Sequence, residues 1–219
     1  MKQEVKAFIA SLHNDTSAMR DAFAPDDYYM RRVSHFARLN VGRGDIVMLG
    51  DSLINGCEWH ELLENPLIKN RGINGDTVEG VRQRVEGIMQ GRPAKVFLMV
   101  GINDVSHNIA SHAIAYSIVA LVDYLHSLSP GTQEYVHSLL PFDSTVYFSS
   151  LTDKEGDVRH INTLLSEAAE EFDYTFIDLY AHFATPDGTI NAEYSNDGLH
   201  LTGSGYALWA RLLQPYINE

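Results

Sequence analysis

Short apolar segments alternate with helix-like segments along most of this chain, and this alternation restricts the fold more than any other feature. Each apolar segment has the length of a buried strand, and each is followed by a stretch with apolar residues three and four positions apart. Such alternation favours a parallel sheet that is covered by helices on both faces. We therefore predict an α/β fold, a three-layer α/β/α sandwich around a five-stranded parallel sheet. The predicted strands cover residues 46–50, 67–72, 94–100, 134–141 and 174–179.

Turn and capping residues delimit the predicted helices. Thr77 is placed to cap the helix after the second strand, and Pro130 ends the long helix after the third. Residues 1–40 predict two more helical pieces that are separated around residues 24–27, where Asp26 or Asp27 can cap the second piece. Residues 142–156 are polar and irregular, as expected of a loop at the rim of a site. The other predicted helices cover residues 53–63, 78–92, 110–128, 157–172 and 204–216.

Composition excludes several classes of partner. Lys and Arg total 16 against 29 Asp and Glu, and the net charge of −13 repels phosphate, which argues against nucleic acid and anionic membranes. No segment approaches the roughly 20 apolar residues of a membrane span. The N-terminus lacks the apolar core of a signal peptide, so we expect a cytoplasmic protein, although a trimmed secreted chain would look the same. The single cysteine, Cys57, is interpreted as a buried or half-buried thiol rather than a reactive one.

Small or polar residues follow three of the predicted strands, and the carboxyl ends of parallel strands meet at the edge where ligands bind. A polar pair lies near the C-terminus, ahead of the last helix. Each of these motifs also has an ordinary structural interpretation as a turn or a helix cap, but their occurrence together favours catalysis. The residues concerned are Ser52, Gly75-Asp76, Asn103-Asp104, and the pair Asp197 and His200.

These residue types match the needs of hydrolysis by a serine. The hydroxyl needs a base and an orienting carboxylate, which His200 and Asp197 can supply to Ser52. The oxyanion needs hydrogen-bond donors, which the backbone N–H groups of Ser52 and Gly75 and the side-chain amide of Asn103 can supply. Glycine suits this position because it carries no side chain to block approach of the substrate to the backbone.

Four segments resemble the signature blocks of the SGNH (GDSL-type) hydrolase superfamily. The resemblance covers about residues 44–216, and no signature residue is missing. Within the superfamily the chain is most similar to the branch of platelet-activating-factor acetylhydrolase-like and sialate-O-acetylesterase-like proteins, because the second block is preceded by Asn70 and Arg71 in the form of that branch. The four blocks are Gly50-Asp51-Ser52-Leu53, Gly72-Ile73-Asn74-Gly75-Asp76-Thr77, Gly101-Ile102-Asn103-Asp104 and Asp197-Gly198-Leu199-His200-Leu201-Thr202.

The length of the chain predicts a single domain over residues 1–219, with the helical segment 1–40 packed against the sheet. The resemblance implies that this domain is a hydrolase domain with a flavodoxin-like sheet. It implies a serine esterase with a shallow, exposed site and neither a cofactor nor a metal. Ser52 would be the nucleophile, Gly75 and Asn103 the oxyanion donors beside Ser52 N–H, and Asp197 and His200 the rest of the triad. The expected partner is a small-molecule ester, foremost an O-acetyl ester of a carbohydrate or similar alcohol. Relatives in this branch are often dimers, so a homodimer is one option.

Other residues are weaker candidates. For substrate binding we consider Asp51, Trp59, Asp104 and His107, although Asp51 and Asp76 are expected to brace the loops around Ser52, and Trp59, like the pair Tyr28-Tyr29, also fits a core. His107 and His112 are poorly spaced for a metal on one helix face. We interpret the remaining unpatterned histidines as surface or hydrogen-bonded core residues: His126, His137, His160 and His182.

Alternative functions remain open. A thioesterase or lysophospholipase would use the same machinery on other acyl groups, and a non-catalytic ligand-binding protein could keep the fold alone. A nucleotide-binding domain is disfavoured because residues 72–75 lack the lysine of a phosphate loop. An α/β-hydrolase is disfavoured because Ile54 occupies the position of the second glycine in the nucleophile elbow of that fold.

Overall fold

The computed structural model describes residues 2–12 and 23–219. Five strands form a parallel sheet in the order β2-β1-β3-β4-β5, which is the flavodoxin-like order. The predicted α/β fold is therefore confirmed, and so is the central place of the third strand. The strands are β1 (Ile46–Gly50), β2 (Ile68–Gly72), β3 (Lys95–Met99), β4 (Gln133–His137) and β5 (Thr175–Ile177).

The helices agree with the predicted alternation. They are α1 (Lys2–Leu12), α2 (Asp27–Phe36), α3 (Ser52–Asn55), α4 (Trp59–Leu62), α5 (Val78–Met89), α6 (Ile102–Ser106), α7 (Ser111–Leu128), α8 (Glu155–Ala168), α9 (Tyr180–Phe183) and α10 (Gly203–Asn218), with a 3₁₀ turn at Ser149–Leu151. The short helices α6 and α9 were not predicted. Both follow a strand directly, and each is only about one turn long.

Helices cover both faces of the sheet. Helix α7 contacts α1, α5 and α8, whereas α10 contacts α4, and right-handed crossovers put these two groups on opposite faces. The indole rings of Trp59 and Trp209 meet edge to face at 5.0 Å in the second group. No helix among the described residues has both the length and the apolar character needed to cross a bilayer.

Two of the predicted elements that differ in the structure end early because side chains replace backbone partners. The fourth strand ends at His137 rather than at residue 141, since the side-chain amide of Asn162 bonds the N–H and the C=O of Leu139 at 2.8 and 2.9 Å. The predicted helix 53–63 is divided into α3 and α4 because the amide of Asn70 donates to the carbonyls of Ile54 and Cys57 at 2.8 and 2.9 Å.

The N-terminal helices pack on the domain as far as they are described. Helix α2 begins at Asp27 and is capped by Asp26, which accepts from Tyr29 N–H, so the predicted break is confirmed. The Tyr29 hydroxyl donates to the carbonyl of Gly80 at 2.8 Å and so connects α2 to α5. Helix α1 contacts α7. The part of the predicted first helical piece at residues 13–22 lies outside the described residues.

Candidate active site

The loops after β1, β2 and β3 surround a cavity of about 520 Å³ at the carboxyl edge of the sheet. Ser52, Gly75, Asn103 and His200 all line it, so residues from four distant segments meet where the sequence predicts. The rest of the lining is partly apolar and partly amide or hydroxyl: Asn55, Gly56, Asn74, Ile102, Ser106, Phe148, Ser150, Leu151, Leu199, Leu201 and Tyr206.

The end of β1 sets the position of Ser52. A Cβ on Gly50 would lie 1.8 Å from the carbonyl oxygen of Met99, so no other residue fits between β1 and the end of β3. Asp51 then caps α3 by accepting from Leu53 N–H at 3.0 Å, and Ser52 is the first residue of this helix. The tight turn therefore presents the Ser52 side chain at the sheet edge.

Ser52, His200 and Asp197 form a continuous hydrogen-bonded series. Nε2 of His200 lies 3.0 Å from Ser52 Oγ, and Nδ1 of His200 lies 2.8 Å from Asp197 Oδ2. An ionised carboxylate can only accept, so the proton of the neutral imidazole belongs on Nδ1. Nε2 is then left as the acceptor that faces the Ser52 hydroxyl, as a general base requires.

Hydrogen bonds keep Asp197 ionised. Partial burial raises its pKa, but donation from His200 Nδ1 and from the backbone N–H groups of Leu199 and His200 outweighs burial and leaves the pKa below its ordinary value. The two backbone bonds to Oδ1 measure 2.9 and 2.7 Å. The spacing of three residues therefore lets one carboxylate both shape its own loop and orient His200.

Residues outside the four signature blocks support this loop. The Gly198 N–H donates to Ser195 Oγ at 3.0 Å, and the carbonyl of Gly198 accepts from Asp143 N–H at 2.7 Å. The ring of Phe148 packs edge-on against the His200 imidazole at 5.5 Å. Phe148 and Asp143 lie in segment 142–156, so the predicted rim loop is confirmed, while the individual contacts had no sequence signal.

The two predicted oxyanion donors border the same cavity. Gly75 has a φ of +76°, but a Cβ there would meet nothing within 4 Å, so the backbone conformation rather than a lack of space requires glycine. The Asn103 amide donates one hydrogen to the carbonyl oxygen of Asp76 at 2.8 Å. This bond orients the amide and leaves its second N–H for a ligand.

Three buried carboxyl groups are next in sequence to the lining residues Ser52, Gly75 and Asn103: Asp51, Asp76 and Asp104. Burial raises their pKa values to about 7, 6 and 7 respectively. All three accept from backbone N–H groups; Asp76 accepts from Thr77 and Asp104 accepts from Val78. They hold the signature loops in place, in agreement with the bracing predicted for Asp51 and Asp76.

The four substrate-binding candidates are not found in the cavity lining. Asp51 and Trp59 are fully buried and Asp104 is 2% exposed, so none of these three can contact a ligand in this conformation. The Trp59 indole instead donates to the carbonyl of Ile54 at 2.8 Å within the core. His107 is exposed at the C-terminal end of α6, outside the described lining. The prediction that these four residues bind substrate is therefore not supported by the structure.

His137 is a second correction. It is buried in the core, as one of the two interpretations allowed, but neither ring nitrogen has a hydrogen-bond partner among the described residues. Its imidazole stacks on Phe97 with the ring centroids 5.8 Å apart. Burial lowers the pKa of His137 to about 3, so the ring is neutral at physiological pH.

The remaining candidates have structural places. Tyr29 belongs to the core, and His160 Nδ1 lies 3.0 Å from Ser111 Oγ. Cys57 is buried, and burial raises the pKa of its thiol to about 12, which confirms the interpretation as an unreactive thiol. Within the described residues, no group of three or more His, Cys, Asp or Glu side chains is arranged to hold a metal ion.

Comparison with known proteins points to one family. A sequence model of the GDSL-like Lipase/Acylhydrolase family matches residues 48–208. The platelet-activating factor acetylhydrolase IB subunit alpha2 of Rattus norvegicus is 29% identical over 182 residues, covering 80% of this chain and 76% of the relative. The same subunit of Gallus gallus is 27% identical over 206 residues, covering 91% and 87%.

Solved structures share the fold. A GDSL-like lipase from Bacteroides thetaiotaomicron superposes with a TM-score of 0.75 at 21% identity, covering 87% of this chain and 97% of that structure. A lipase/acylhydrolase from Enterococcus faecalis gives a TM-score of 0.67 at 20% identity, covering 80% and 95%.

Proposed function

Because the chain belongs to the GDSL-like lipase/acylhydrolase family, we propose that it is a serine esterase that cleaves small acyl esters. The hydrogen-bonded series of Ser52, His200 and Asp197 carries this proposal, since it places a base on the hydroxyl and a carboxylate on the base. The foremost substrate is an O-acetyl ester of a carbohydrate or a similar alcohol.

The reaction has two halves. Ser52 Oγ attacks the ester carbonyl carbon while its proton passes to His200 Nε2, which then gives that proton to the leaving alcohol. An acyl group remains on Ser52. A water molecule, deprotonated by His200, attacks this acyl-enzyme and releases the carboxylic acid and the free serine. Asp197 stays ionised throughout and stabilises the imidazolium that forms in each half.

The negative oxygen of each tetrahedral intermediate needs donors close to Ser52. We assign this role to the N–H groups of Ser52 and Gly75 and to the free amide hydrogen of Asn103, all of which belong to residues at the cavity wall. The amide is already oriented by its bond to Asp76, so little reorganisation is needed when charge develops.

The lining supports an uncharged, polar substrate. The described lining residues include neither Lys nor Arg that would pair with an anionic group, while Asn55 and Asn74 present amides that can bond hydroxyl groups. The word acetylhydrolase in the names of the rat and chicken relatives supports acetyl as the acyl group.

The decisive test is hydrolysis of p-nitrophenyl acetate by the Ser52→Ala variant. We expect a loss of at least about 10⁴-fold in kcat, because loss of the nucleophile removes the acyl-enzyme route. The matched control is Ser106→Ala, which removes a hydroxyl from the same cavity and should stay close to wild type. A fluorophosphonate probe should label wild-type Ser52. Undiminished hydrolysis by Ser52→Ala would end the esterase proposal, and absence of labelling would favour a non-catalytic ligand-binding protein.

One observation favours a second candidate, an acylhydrolase for longer chains such as a thioesterase or lysophospholipase. Phe148, Leu151 and Leu201 give the cavity an apolar wall. Comparing p-nitrophenyl acetate, butyrate and longer esters, together with acetylated sugars and an acyl thioester, separates the two. Rising kcat/KM with chain length would replace the small-acyl proposal with the second candidate.

A further inference from the structure

Arg84 lies outside all four signature blocks, yet its guanidinium contacts residues in two of them. It is on α5, where it shares a helix face with Val81, Val85 and Ile88, and only 4% of its side chain is exposed. A buried guanidinium on the apolar face of a helix is costly unless it is paired and hydrogen-bonded, so its partners indicate what it does.

The guanidinium joins two of the signature blocks. Nε and Nη2 both lie 2.8 Å from Asp76 Oδ2, and Nη2 also donates to the carbonyl oxygen of Gly50 at 3.1 Å. Gly50 ends β1, two residues before Ser52, and Asp76 directly follows Gly75. One side chain therefore holds the nucleophile turn against the loop of the proposed oxyanion donor.

Asp76 extends this connection to the third block. Its carbonyl oxygen accepts from the Asn103 amide at 2.8 Å, while its Oδ1 accepts from Thr77 N–H at 3.0 Å. The elements that carry Ser52, Gly75 and Asn103 are thus linked through Arg84 and Asp76 in three consecutive contacts.

We propose that Arg84 is a positioning residue, whose planar fork sets the separation between the Ser52 nucleophile and the oxyanion donors Gly75 and Asn103. This proposal rests on the proposed esterase function. Arg84 touches neither substrate nor reacting atoms, so it acts through Gly50 and Asp76. The alternative is that it merely neutralises the buried Asp76 carboxylate, a role that any cation could fill.

Lysine separates the two roles, because it keeps the charge but lacks the fork that bonds Asp76 and Gly50 along fixed directions. A misplacement of about 1 Å near reacting groups can cost about 10²-fold in rate. We therefore expect Arg84→Met and Arg84→Lys to lower kcat for p-nitrophenyl acetate by about 30- to 100-fold, with KM changed by less than about threefold.

The matched control is Arg82→Met on the same helix, since Arg82 bonds the Glu79 carboxylate and is ten times more exposed than Arg84. It should leave kcat unchanged. Recovery of wild-type kcat by Arg84→Lys would show that charge alone suffices and would overturn the proposal. Wild-type kcat in a folded Arg84→Met variant would overturn it as well.

A second measurement does not depend on turnover. In ¹H–¹⁵N spectra, both Arg84 variants should shift the Gly75 amide and the Asn103 side-chain amide, whereas Arg82→Met should leave them in place. Unmoved signals would overturn the proposal. If wild type shows no Ser52-dependent hydrolysis, the esterase function fails while these signals still decide whether Arg84 sets the geometry. If Arg84→Met does not fold, Arg84→Lys carries both measurements.

Discussion

The carboxyl groups near Ser52 lie in two opposite environments, one occupied by Asp197 alone and the other by three aspartates. The rim, which here means the loop 195–202 and not the loop 142–156 beside it, holds Asp197 with 32% of its side chain exposed and a pKa below the ordinary value. The floor, which we define as Asp51, Asp76 and Asp104, is almost fully buried, and burial raises its pKa values to between about 6 and 7.

The difference shows that the environment of an aspartate, rather than its residue type, determines its role in the site. Asp197 receives three short hydrogen bonds and so stays charged, as stabilising an imidazolium requires. For the floor carboxyls, hydrogen bonds do not compensate for the hydration that burial removes, so their pKa values are raised. They accept from backbone N–H groups, and Asp76 also accepts from the Arg84 guanidinium. Changing Asp to Asn at each place tests this contrast, because it removes charge and keeps shape.

The largest effect is expected at the rim. Asp197→Asn should lower kcat for p-nitrophenyl acetate by about 10⁴-fold, because the amide favours the wrong tautomer of His200 and cannot stabilise its cationic form. Folding should be retained, as near-identical circular dichroism would show. The same substitution at the floor, Asp104→Asn, is the control and should change kcat by less than about threefold. Equal losses in both variants would contradict the contrast.

A loss of activity of intermediate size is expected at Asn103. Asn103→Ala removes a proposed oxyanion donor and should lower kcat by about 10²–10³-fold with little change in KM. The comparison variant is Asn74→Ala, which removes from the same cavity an amide proposed above to bond substrate hydroxyl groups; p-nitrophenyl acetate has none, so its kcat should stay close to wild type. If both variants lost activity equally, Asn103 would have no special role at the oxyanion.

The smallest effect concerns stability rather than rate. Asp104 has a pKa of about 7 in the folded chain against an ordinary 3.8, so the folded state binds more protons than the unfolded state between these values. Its contribution to the free energy of unfolding is therefore present in acid and lost as pH rises from about 4 to 7. The side-chain amide of the Asp104→Asn variant does not titrate. Denaturant melts should therefore show that the free energy of unfolding of this variant rises relative to that of wild type between pH 5 and pH 8.

The opposite sign is expected at the rim, where the Asp197 pKa is lowered and its stabilising contribution is lost as pH falls through that value. A difference between Asp104→Asn and wild type that does not change with pH would mean that the floor carboxyl is not titrating in this range.

Most of the architecture was predictable because it follows from local patterns. The apolar run that becomes β1 was predicted to the residue, and the cap at Thr77 was recognised from its position before a periodic helix. The short helices α6 and α9 escaped prediction, and two element boundaries were wrong where distant side chains replace backbone bonds, as Asn162 does at the end of β4 and Asn70 does between α3 and α4. No local pattern carries that information.

Within the candidate site, the residues that the structure brings together were predictable because polar residues at strand ends are conspicuous. Arg84 was missed, although a signal existed, namely an arginine among valines and isoleucine on one face of α5. Phe148 was missed because one aromatic residue in an irregular loop is not distinctive. Trp59 and Asp104 are candidates for substrate binding from sequence alone because sequence does not reveal that their side chains are buried.

By itself the sequence determined the order of strands and helices, the side chains at the sheet edge and the chemistry they can perform, since these depend on residue type and short-range spacing. Only the tertiary structure decided in which direction the pKa of each aspartate shifts, that the His137 ring has no polar partner among the described residues, and which arginine connects the loops. The physical reason is that desolvation and hydrogen bonding between distant segments set those properties, and both exist only after the chain has folded.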